Sequence, residues 1–177
     1  MCFTTSGRLG NESTVSWGYE SQRMNQDACD FCAIANGHDE SVEVVCSGSS
    51  WIAFFPLDPA TPGHTLVVPR KHFSDLWDVD ETTASDLMLA VVAVGNAIQR
   101  ALSPEGMNLI TSSGSAAEQT VFHVHLHLVP RWSDDGFGRI WPPDGDFEER
   151  DKRDVASRIR AECGEAGESQ AADQYRT

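Results

Sequence analysis

Within residues 119–130, QTVFHVHLHLVP, three histidines stand at every second position among mostly apolar residues. A period of two is typical of a β-strand, in which successive side chains point to opposite faces. The pattern therefore predicts a strand with an imidazole face and an apolar face that packs into a core. The imidazole face consists of His123, His125 and His127, and the apolar face of Val124, Leu126 and Leu128.

The imidazole face has three interpretations from the residues alone. It could be a solvated or structural face, although three neutral bases in register are hard to explain on a merely polar surface. It could be a metal site built from all three histidines. It could instead use one imidazole as a nucleophile, while the flanking imidazoles hold its tautomer and bind anionic oxygens.

Charge and hydropathy exclude several classes of partner. The formal charge is −14, from 13 Lys and Arg against 27 Asp and Glu, so nucleic-acid polymers and anionic membranes would be repelled. No apolar run approaches the roughly 20 residues of a membrane span, and the first residues lack the apolar core of a signal peptide. We therefore expect a cytoplasmic protein with a small-molecule ligand. A small anion stays compatible, with Arg70, Lys71 and Arg131 as nearby cations.

The five cysteines do not suggest a disulfide framework, because their count is odd and no export signal precedes them. Cys29 and Cys32 form the sequence CDFC. On its own this spacing fits a redox pair, half of a zinc site, or two incidental cysteines.

The order of elements indicates an antiparallel α+β domain. A long helix, capped at Asp80 or a neighbouring Thr, is predicted from apolar residues at three- and four-residue spacing: Leu87, Val91, Val94, Ile98 and Leu102. Strands are predicted over residues 41–45, 50–55, 64–69, 107–111 and 120–130. The organisation expected from composition is a flexible segment (1–25), a main domain (26–132), an extension (133–163) with a short helix over 147–163, and a loose tail (164–177).

Two motifs resemble those of the histidine-triad (HIT) family. The pattern His-φ-His-φ-His-φ-φ, with φ apolar, is complete over residues 123–129 and follows Gln119-Thr120, as in the family. Upstream, WIAFFPLDPATPGHTLVVPRKH resembles the family's Pro-Gly-His stretch. The resemblance covers about residues 30–131 and implies a five-stranded antiparallel sheet with one long helix and a C-terminal helix, usually paired into a homodimer.

The resemblance also implies a reaction. It suggests a hydrolase acting at the α-phosphate of a purine nucleotide, either a dinucleoside polyphosphate or a nucleoside phosphoramidate. His125 would be the nucleophile of a nucleotidyl-histidine intermediate, His127 would donate to a phosphate oxygen, and His64 would orient the site. A nucleotidyltransferase or phosphorylase of the same superfamily, or a nucleotide-binding interaction protein with little turnover, is the alternative.

One branch of the family binds zinc with a Cys-x-x-Cys pair. Here the resemblance implies a closed, structural Cys₂His₂ zinc site made of Cys29, Cys32, His72 and His123. His123 would then hold zinc, while His125 and His127 face the substrate. A catalytic metal on all three triad histidines would need an open metal position, and CDFC argues against it.

The remaining site residues follow from the same likeness. Gln119 and Thr120 would contact phosphate oxygens or the leaving group. The purine would lie against Phe31, Ile34, Phe54 and Leu57, although each is equally suited to a core. Two positions depart from the family's pattern and concern sugar and phosphate contacts: Pro56 replaces an Asp or Asn, with Asp58 as the nearby substitute, and Ser112 replaces an Asn.

Overall fold

The computed structural model describes residues 29–142 and 148–170. The chain divides into two compact units between Phe137 and Gly138. In its described part, the first unit contains α1 (Asp30–Ala35), β1 (Val44–Ser47), β2 (Trp51–Phe54), β3 (Thr65–Pro69), α2 (Glu81–Leu102), β4 (Gly106–Ile110) and β5 (Leu126–Arg131). The second unit contains α3 (Glu149–Gln170).

The five strands form one antiparallel sheet in the order β1-β2-β3-β5-β4. This confirms the predicted α+β class, with a five-stranded antiparallel sheet, one long helix and a C-terminal helix. His127 lies in the inner strand β5, where it pairs with Leu66 of β3 on one side and Ile110 of β4 on the other. The sheet therefore fixes the backbone of the last triad histidine from both sides.

Each face of the sheet packs against one helix of the first unit. The face toward α2 consists of Ala53, Val67, Val124, Leu126 and Leu128, which meet Leu87, Ala90, Val91, Val94 and Ile98. The face toward α1 consists of Ile52, Phe54, Leu66 and Val68, which meet Ile34 and Ala35. Burying one such aliphatic side chain contributes about 1.5–3 kcal/mol, so these two layers hold the sheet in place. The predicted apolar face of the triad segment is confirmed.

The predicted helix stripe is buried except at its last member. Leu102 is partly exposed and lies over Gly63, where an added Cβ would stand 2.3 Å from its Cδ1 atom. Gly63 has a φ of +81°, so its backbone conformation favours glycine, whereas the flexible end of the Leu102 side chain could shift to relieve the close approach.

The last strand begins later than predicted, at Leu126 instead of residue 120. The preceding segment makes its backbone bond elsewhere, because the amide of Val124 donates to the carbonyl of Phe73 at 2.8 Å. His123 and His125 therefore stand just before the strand, and only His127 lies in it. The prediction of one continuous strand was wrong at this end.

The first hairpin is also displaced from its predicted bounds. β1 begins at Val44 and includes Cys46 and Ser47, which lie beyond the predicted strand 41–45. The pairing of β1 with β2 shifts register between Val44 and Cys46, as at a β-bulge, and such irregularities leave no clear alternation in the sequence.

Helix α3 continues to Gln170, seven residues past its predicted end. Gly164 is the first residue of the predicted loose tail, but glycine inside a helix costs only about 1 kcal/mol, and the Glu, Ala and Gln residues around it favour helix. Val155, Ile159 and Cys163 lie at four-residue spacing, which predicts one apolar stripe on this helix, but all three are exposed. The predicted flexible segment 1–25 and the tail beyond Gln170 lie outside the described residues. No helix in the described ranges is long and apolar enough to span a membrane.

The N-terminus of α2 has the predicted cap, since Asp80 Oδ1 accepts a hydrogen bond from the Thr83 amide at 2.9 Å. This bond is the main reason why the pKa of Asp80 is lowered, to about 2, and the hydrogen bond from Lys71 adds to it.

We expect Asp80→Ala to lower the urea midpoint of unfolding by roughly half a molar, because the Thr83 amide loses its acceptor. Asp80→Asn keeps a side-chain oxygen, so its urea midpoint should fall much less. Since the folded-state pKa is depressed, the cap is fully present above pH ~4 and is lost as the pH falls toward 2. Equal midpoints for the Ala and Asn variants at pH 7 would contradict the capping role.

Candidate active site and metal centre

Four potential metal ligands from three separate segments meet beside the sheet. Cys29 and Cys32 lie at the start of α1, His72 follows β3, and His123 precedes β5. His123 Nδ1 lies 3.5 Å from Cys29 Sγ and 3.4 Å from Cys32 Sγ, and His72 Nδ1 lies 3.3 Å from Cys32 Sγ. The ligand atoms of all four residues lie within 4.8 Å of one another.

This cluster has the dimensions and chemistry of a tetrahedral zinc site. With Zn–S near 2.3 Å and Zn–N near 2.0–2.1 Å, tetrahedral angles place S and N atoms about 3.5 Å apart. Burial, with Cys29 alongside, raises the pKa of the Cys32 thiol to about 12, so a bound cation is needed to hold it as a thiolate. His123 Nε2 donates to the Pro69 carbonyl at 2.9 Å, which leaves Nδ1 as the ligand atom.

The ring of His125 has a defined tautomer. Its Nδ1 lies 2.7 Å from the carbonyl oxygen of His123. A carbonyl can only accept, so Nδ1 carries the proton and Nε2 keeps a free lone pair. The residue is buried, and burial lowers the pKa of the imidazole, which favours this neutral form. The His125 carbonyl in turn accepts a hydrogen bond from Thr111 Oγ1 at 2.9 Å.

The ring of His127 is set through His64. The Ala60 amide donates to His64 Nδ1 at 3.0 Å, so the proton of neutral His64 is on Nε2. His64 Nε2 lies 2.9 Å from His127 Nδ1 and donates to it. Neutral His127 therefore carries its proton on Nε2. Burial is the main cause that lowers the pKa of His127 to about 4, with His125 and His64 adding to it, so this form prevails at neutral pH.

The two rings together form a pair of complementary groups. The ring centroids of His125 and His127 are 4.9 Å apart, and their planes are inclined by 64°. One imidazole offers a lone pair on Nε2, and its neighbour offers an N–H donor on Nε2. Such a pair is suited to nucleophilic attack at an electrophilic centre whose oxygens accept a hydrogen bond.

An aromatic side chain links the two clusters. Phe31, between the two cysteines, stands edge-on to His125 with centroids 5.2 Å apart, and also contacts His123 and Phe54. Of the residues predicted to hold a purine, Phe31 is thus in direct contact with the triad. Ile34 and Phe54 are core residues on the same face of the sheet. Leu57 is 75% exposed on the loop that follows β2.

The predicted phosphate contacts differ in their surroundings. Gln119 is buried, and both ends of its amide bond to protein backbone. Thr120 is exposed and Ser112 is half-buried. Asp58, the candidate substitute for an acid at Pro56, is exposed on the loop before His64.

The basic residues near the motifs are engaged elsewhere. Arg70 donates to the carbonyls of Gly48 and Ala35. Lys71 pairs with Asp80 at 3.0 Å on the surface. Arg131 donates to Asp135 at 2.6 Å and to Asn108 at 2.7 Å, and stacks over Phe137. Within the described residues, the donors around the triad are therefore imidazoles, hydroxyls and backbone amides, because these three cations bond elsewhere.

A separate cleft of about 660 Å³ lies beside the C-terminal end of α1, with Arg70 and the carboxylates of Asp39, Glu40 and Glu43 in its lining. None of the triad histidines lines it. Its carboxylates would repel phosphate, so the triad is the better candidate for an anionic substrate.

Sequence reasoning missed two groups that fix the imidazoles: the Ala60 amide, which sets the His64 tautomer, and the Thr111 hydroxyl, which holds the His125 carbonyl. The first is a backbone group and leaves no sequence signal. The second is a polar residue at the end of a strand, and its partner follows only from the pairing of β4 with β5.

Comparison with known proteins gives the same family as the motifs. The HIT domain family model matches residues 40–134, more than half of the chain. The crystal structure of a HIT family protein from Bacillus anthracis superposes with a TM-score of 0.69 at 33% identity, covering 77% of this chain and 97% of that one. A Zn-bound histidine triad family protein from Mycobacterium smegmatis gives a TM-score of 0.60 at 31% identity, with coverages of 77% and 99%.

A curated relative, adenosine 5'-monophosphoramidase hnt1 from Schizosaccharomyces pombe, is 31% identical over 116 residues, covering 65% of this chain and 84% of the relative. The family model, the two structures and this relative agree with the histidine pattern and the antiparallel sheet. The chain therefore belongs to the histidine-triad (HIT) family.

Proposed function

We propose that the protein is a nucleotide hydrolase that acts at the α-phosphate of a purine nucleotide through a nucleotidyl-His125 intermediate. The observation that carries the proposal is the tautomer of His125, whose Nδ1–H is held by the His123 carbonyl so that Nε2 keeps its lone pair. Close beside it, the Nε2–H of His127 is available to a phosphate oxygen.

The reaction proceeds in two displacements. His125 Nε2 attacks the α-phosphorus, and the bond to the leaving group breaks with its electron pair going to that group. Water then attacks the same phosphorus, the N–P bond breaks, and His125 regains its lone pair. Overall, water supplies the hydroxyl of the released nucleoside monophosphate and the proton of the leaving group. His127 Nε2–H stabilises the phosphate oxygens as charge develops on them.

Charge favours an amine over a polyphosphate as the leaving group. Between residues 29 and 137 the Lys and Arg residues are Arg70, Lys71, Arg100 and Arg131, and all but Arg100 are engaged as described above. A polyphosphate would bring several negative charges to a site where three of these four cations are already engaged. An amine brings none, which agrees with the phosphoramidase activity in the name of the yeast relative. A nucleoside phosphoramidate is therefore the proposed substrate, with dinucleoside polyphosphates second.

The purine would lie on the α1 side of the sheet, against Phe31 and Leu57, with the buried Ile34 and Phe54 forming the layer on which Phe31 packs. Support comes from Phe31, whose ring already stands edge-on to the nucleophile. Thr120 and Ser112 are the proposed hydroxyl donors to the phosphate, and Asp58 is the proposed partner of the ribose in place of Pro56.

We expect wild type mixed with an adenosine phosphoramidate to form an acid-labile adduct of one AMP, detected by intact-protein mass spectrometry. His125→Ala should lose the adduct and at least about a thousandfold in turnover, because no other group replaces the nucleophile. His38→Ala, which removes an exposed histidine, is the matched control and should behave as wild type.

Three outcomes would change the assignment. A faster adduct with a diadenosine polyphosphate would reverse the order of substrates. Transfer of the nucleotide to phosphate or a sugar phosphate would make the protein a nucleotidyltransferase or phosphorylase. Nucleotide binding without adduct or turnover would leave an interaction protein, as the departure at Pro56 could suggest.

A structural zinc ion is the proposed cofactor, held by Cys29, Cys32, His72 and His123. The fit of the four donors to tetrahedral spacing supports it, as does the Zn-bound relative from Mycobacterium smegmatis. All four coordination positions are filled by protein atoms, so zinc would bind no substrate. It would anchor the start of α1 to the segment after β3 and to the segment before β5.

We expect one zinc per chain by elemental analysis, and its removal by a chelator should lower the melting temperature by about 10 °C or more, because buried ligands lose their cation. Cys32→Ser should lose zinc and stability, whereas Cys46→Ser, at an exposed free cysteine, should change neither. Chelation that abolished turnover without lowering the melting temperature would indicate a catalytic metal instead.

A homodimer is the proposed assembly. Apolar side chains are exposed on one helix and on the edge strand of the sheet: Met88, Leu89, Val92 and Leu109. Leu89 is 70% exposed and lies beside other exposed apolar residues. A group of exposed apolar side chains of this kind often marks a surface that binds another protein. We expect light scattering to give twice the chain mass, and Leu89→Glu to give the mass of one chain. A single-chain mass for wild type would reject the dimer.

A further inference from the structure

The side chain of Gln119 joins three segments around the active site. Its Oε1 accepts a hydrogen bond from the Gly114 amide at 2.7 Å. Its Nε2 donates to the carbonyl of Ser74 at 2.7 Å and to that of Val121 at 3.2 Å. The residue is only 4% exposed, so these bonds form where water does not compete.

The first segment is the loop that follows β4. The Gln119 amide donates to the Gly114 carbonyl at 3.1 Å, so both backbone groups of Gly114 are bonded to the same residue. Gly114 has a φ of +89° and Glu118 a φ of +63°. The loop thus has a residue of positive φ on either side of the short 3₁₀ turn Ser115–Ala117, and the backbone N–H of Gln119 closes it.

The other two segments lead to the histidines. Ser74 stands two residues after His72, and the neighbouring Phe73 carbonyl accepts the Val124 amide at 2.8 Å. Val121 lies two residues before His123, whose carbonyl holds the nucleophile. A shift of the Gln119 side-chain amide would therefore move Val121 and, two residues further along the backbone, the His123 carbonyl.

The geometry requires an amide of this length. One end of the side chain faces a donor, the Gly114 N–H, and the other end faces two acceptors, the carbonyls of Ser74 and Val121. Glutamate would place a buried carboxylate oxygen against those carbonyls, and methionine would leave all three backbone groups without this partner.

We propose that Gln119 is a positioning residue for the His125–His127 pair, which acts by fixing the loop after β4 and the segment before β5, and does not contact the substrate. The proposal rests on the proposed function for its readout. It differs from the expectation drawn from the family resemblance, in which Gln119 bonds to the phosphate.

The test compares Gln119→Met and Gln119→Glu with wild type, using adenosine phosphoramidate turnover and hydrogen exchange of the Gly114 amide. In both variants we expect kcat to fall about tenfold to a hundredfold, since small misplacements of reacting groups cost that much, with KM changed less than about threefold. Exchange at Gly114 should accelerate at least about tenfold. Glu118→Gln, at the exposed neighbouring position, is the matched control and should leave all three quantities unchanged.

Two results would overturn the proposal. A rise in KM with kcat unchanged would indicate direct binding of substrate by Gln119. A lower melting temperature with unchanged kcat in the folded protein would indicate a purely structural role.

If Gln119→Met does not fold, Gln119→Glu and the exchange rate of Gly114 in wild type still test the proposal. Rapid exchange of the Gly114 amide in wild type would contradict its hydrogen bond to Gln119. Failure of wild type to form the AMP adduct would reject the proposed function alone, because the exchange measurement needs no substrate.

Discussion

The proposed active site depends on one short hydrogen bond, from His125 Nδ1 to the carbonyl of His123 at 2.7 Å. It assigns the proton to one ring nitrogen and leaves the lone pair on the other, which a buried imidazole needs in order to attack. The carbonyl belongs to a residue whose own ring lies among the metal ligands. The proposed metal centre and the proposed nucleophile are therefore joined through a single residue, and the three histidines that look alike in sequence lie in different surroundings.

A second series of hydrogen bonds places the proton of His127 on its Nε2 atom. The Ala60 amide, His64 and His127 stand in line, and each bond fixes the tautomer of the next ring. Burial keeps the pKa values of both imidazoles low, so these assignments hold at neutral pH. Because neighbouring Lys and Arg side chains bond elsewhere, the proposed site stabilises phosphate with neutral donors. That environment suits a substrate with little charge on its leaving group.

The sequence predicted what repeats locally. The alternation in the triad segment, the helical spacing from Leu87 to Ile98 and the cap at Asp80 all have periods or pairings within one element. It could not predict what depends on distant partners. The strand start at Leu126 follows from the bond between Val124 and Phe73, and the setting of Gln119 from bonds to Gly114 and Ser74. His64 and His72, which lie outside the triad, were found only because a second motif supplied them.

The central claim is the tautomeric state of His125, His127 and His64, and long-range ¹H–¹⁵N correlation NMR on histidine-labelled protein at pH 7 measures it directly. Each ring nitrogen reports by its chemical shift whether it carries a proton. The account predicts Nδ1–H for His125 and Nε2–H for both His127 and His64. A His125 ring protonated on Nε2, or on both nitrogens, would have no lone pair facing the substrate and would contradict the account.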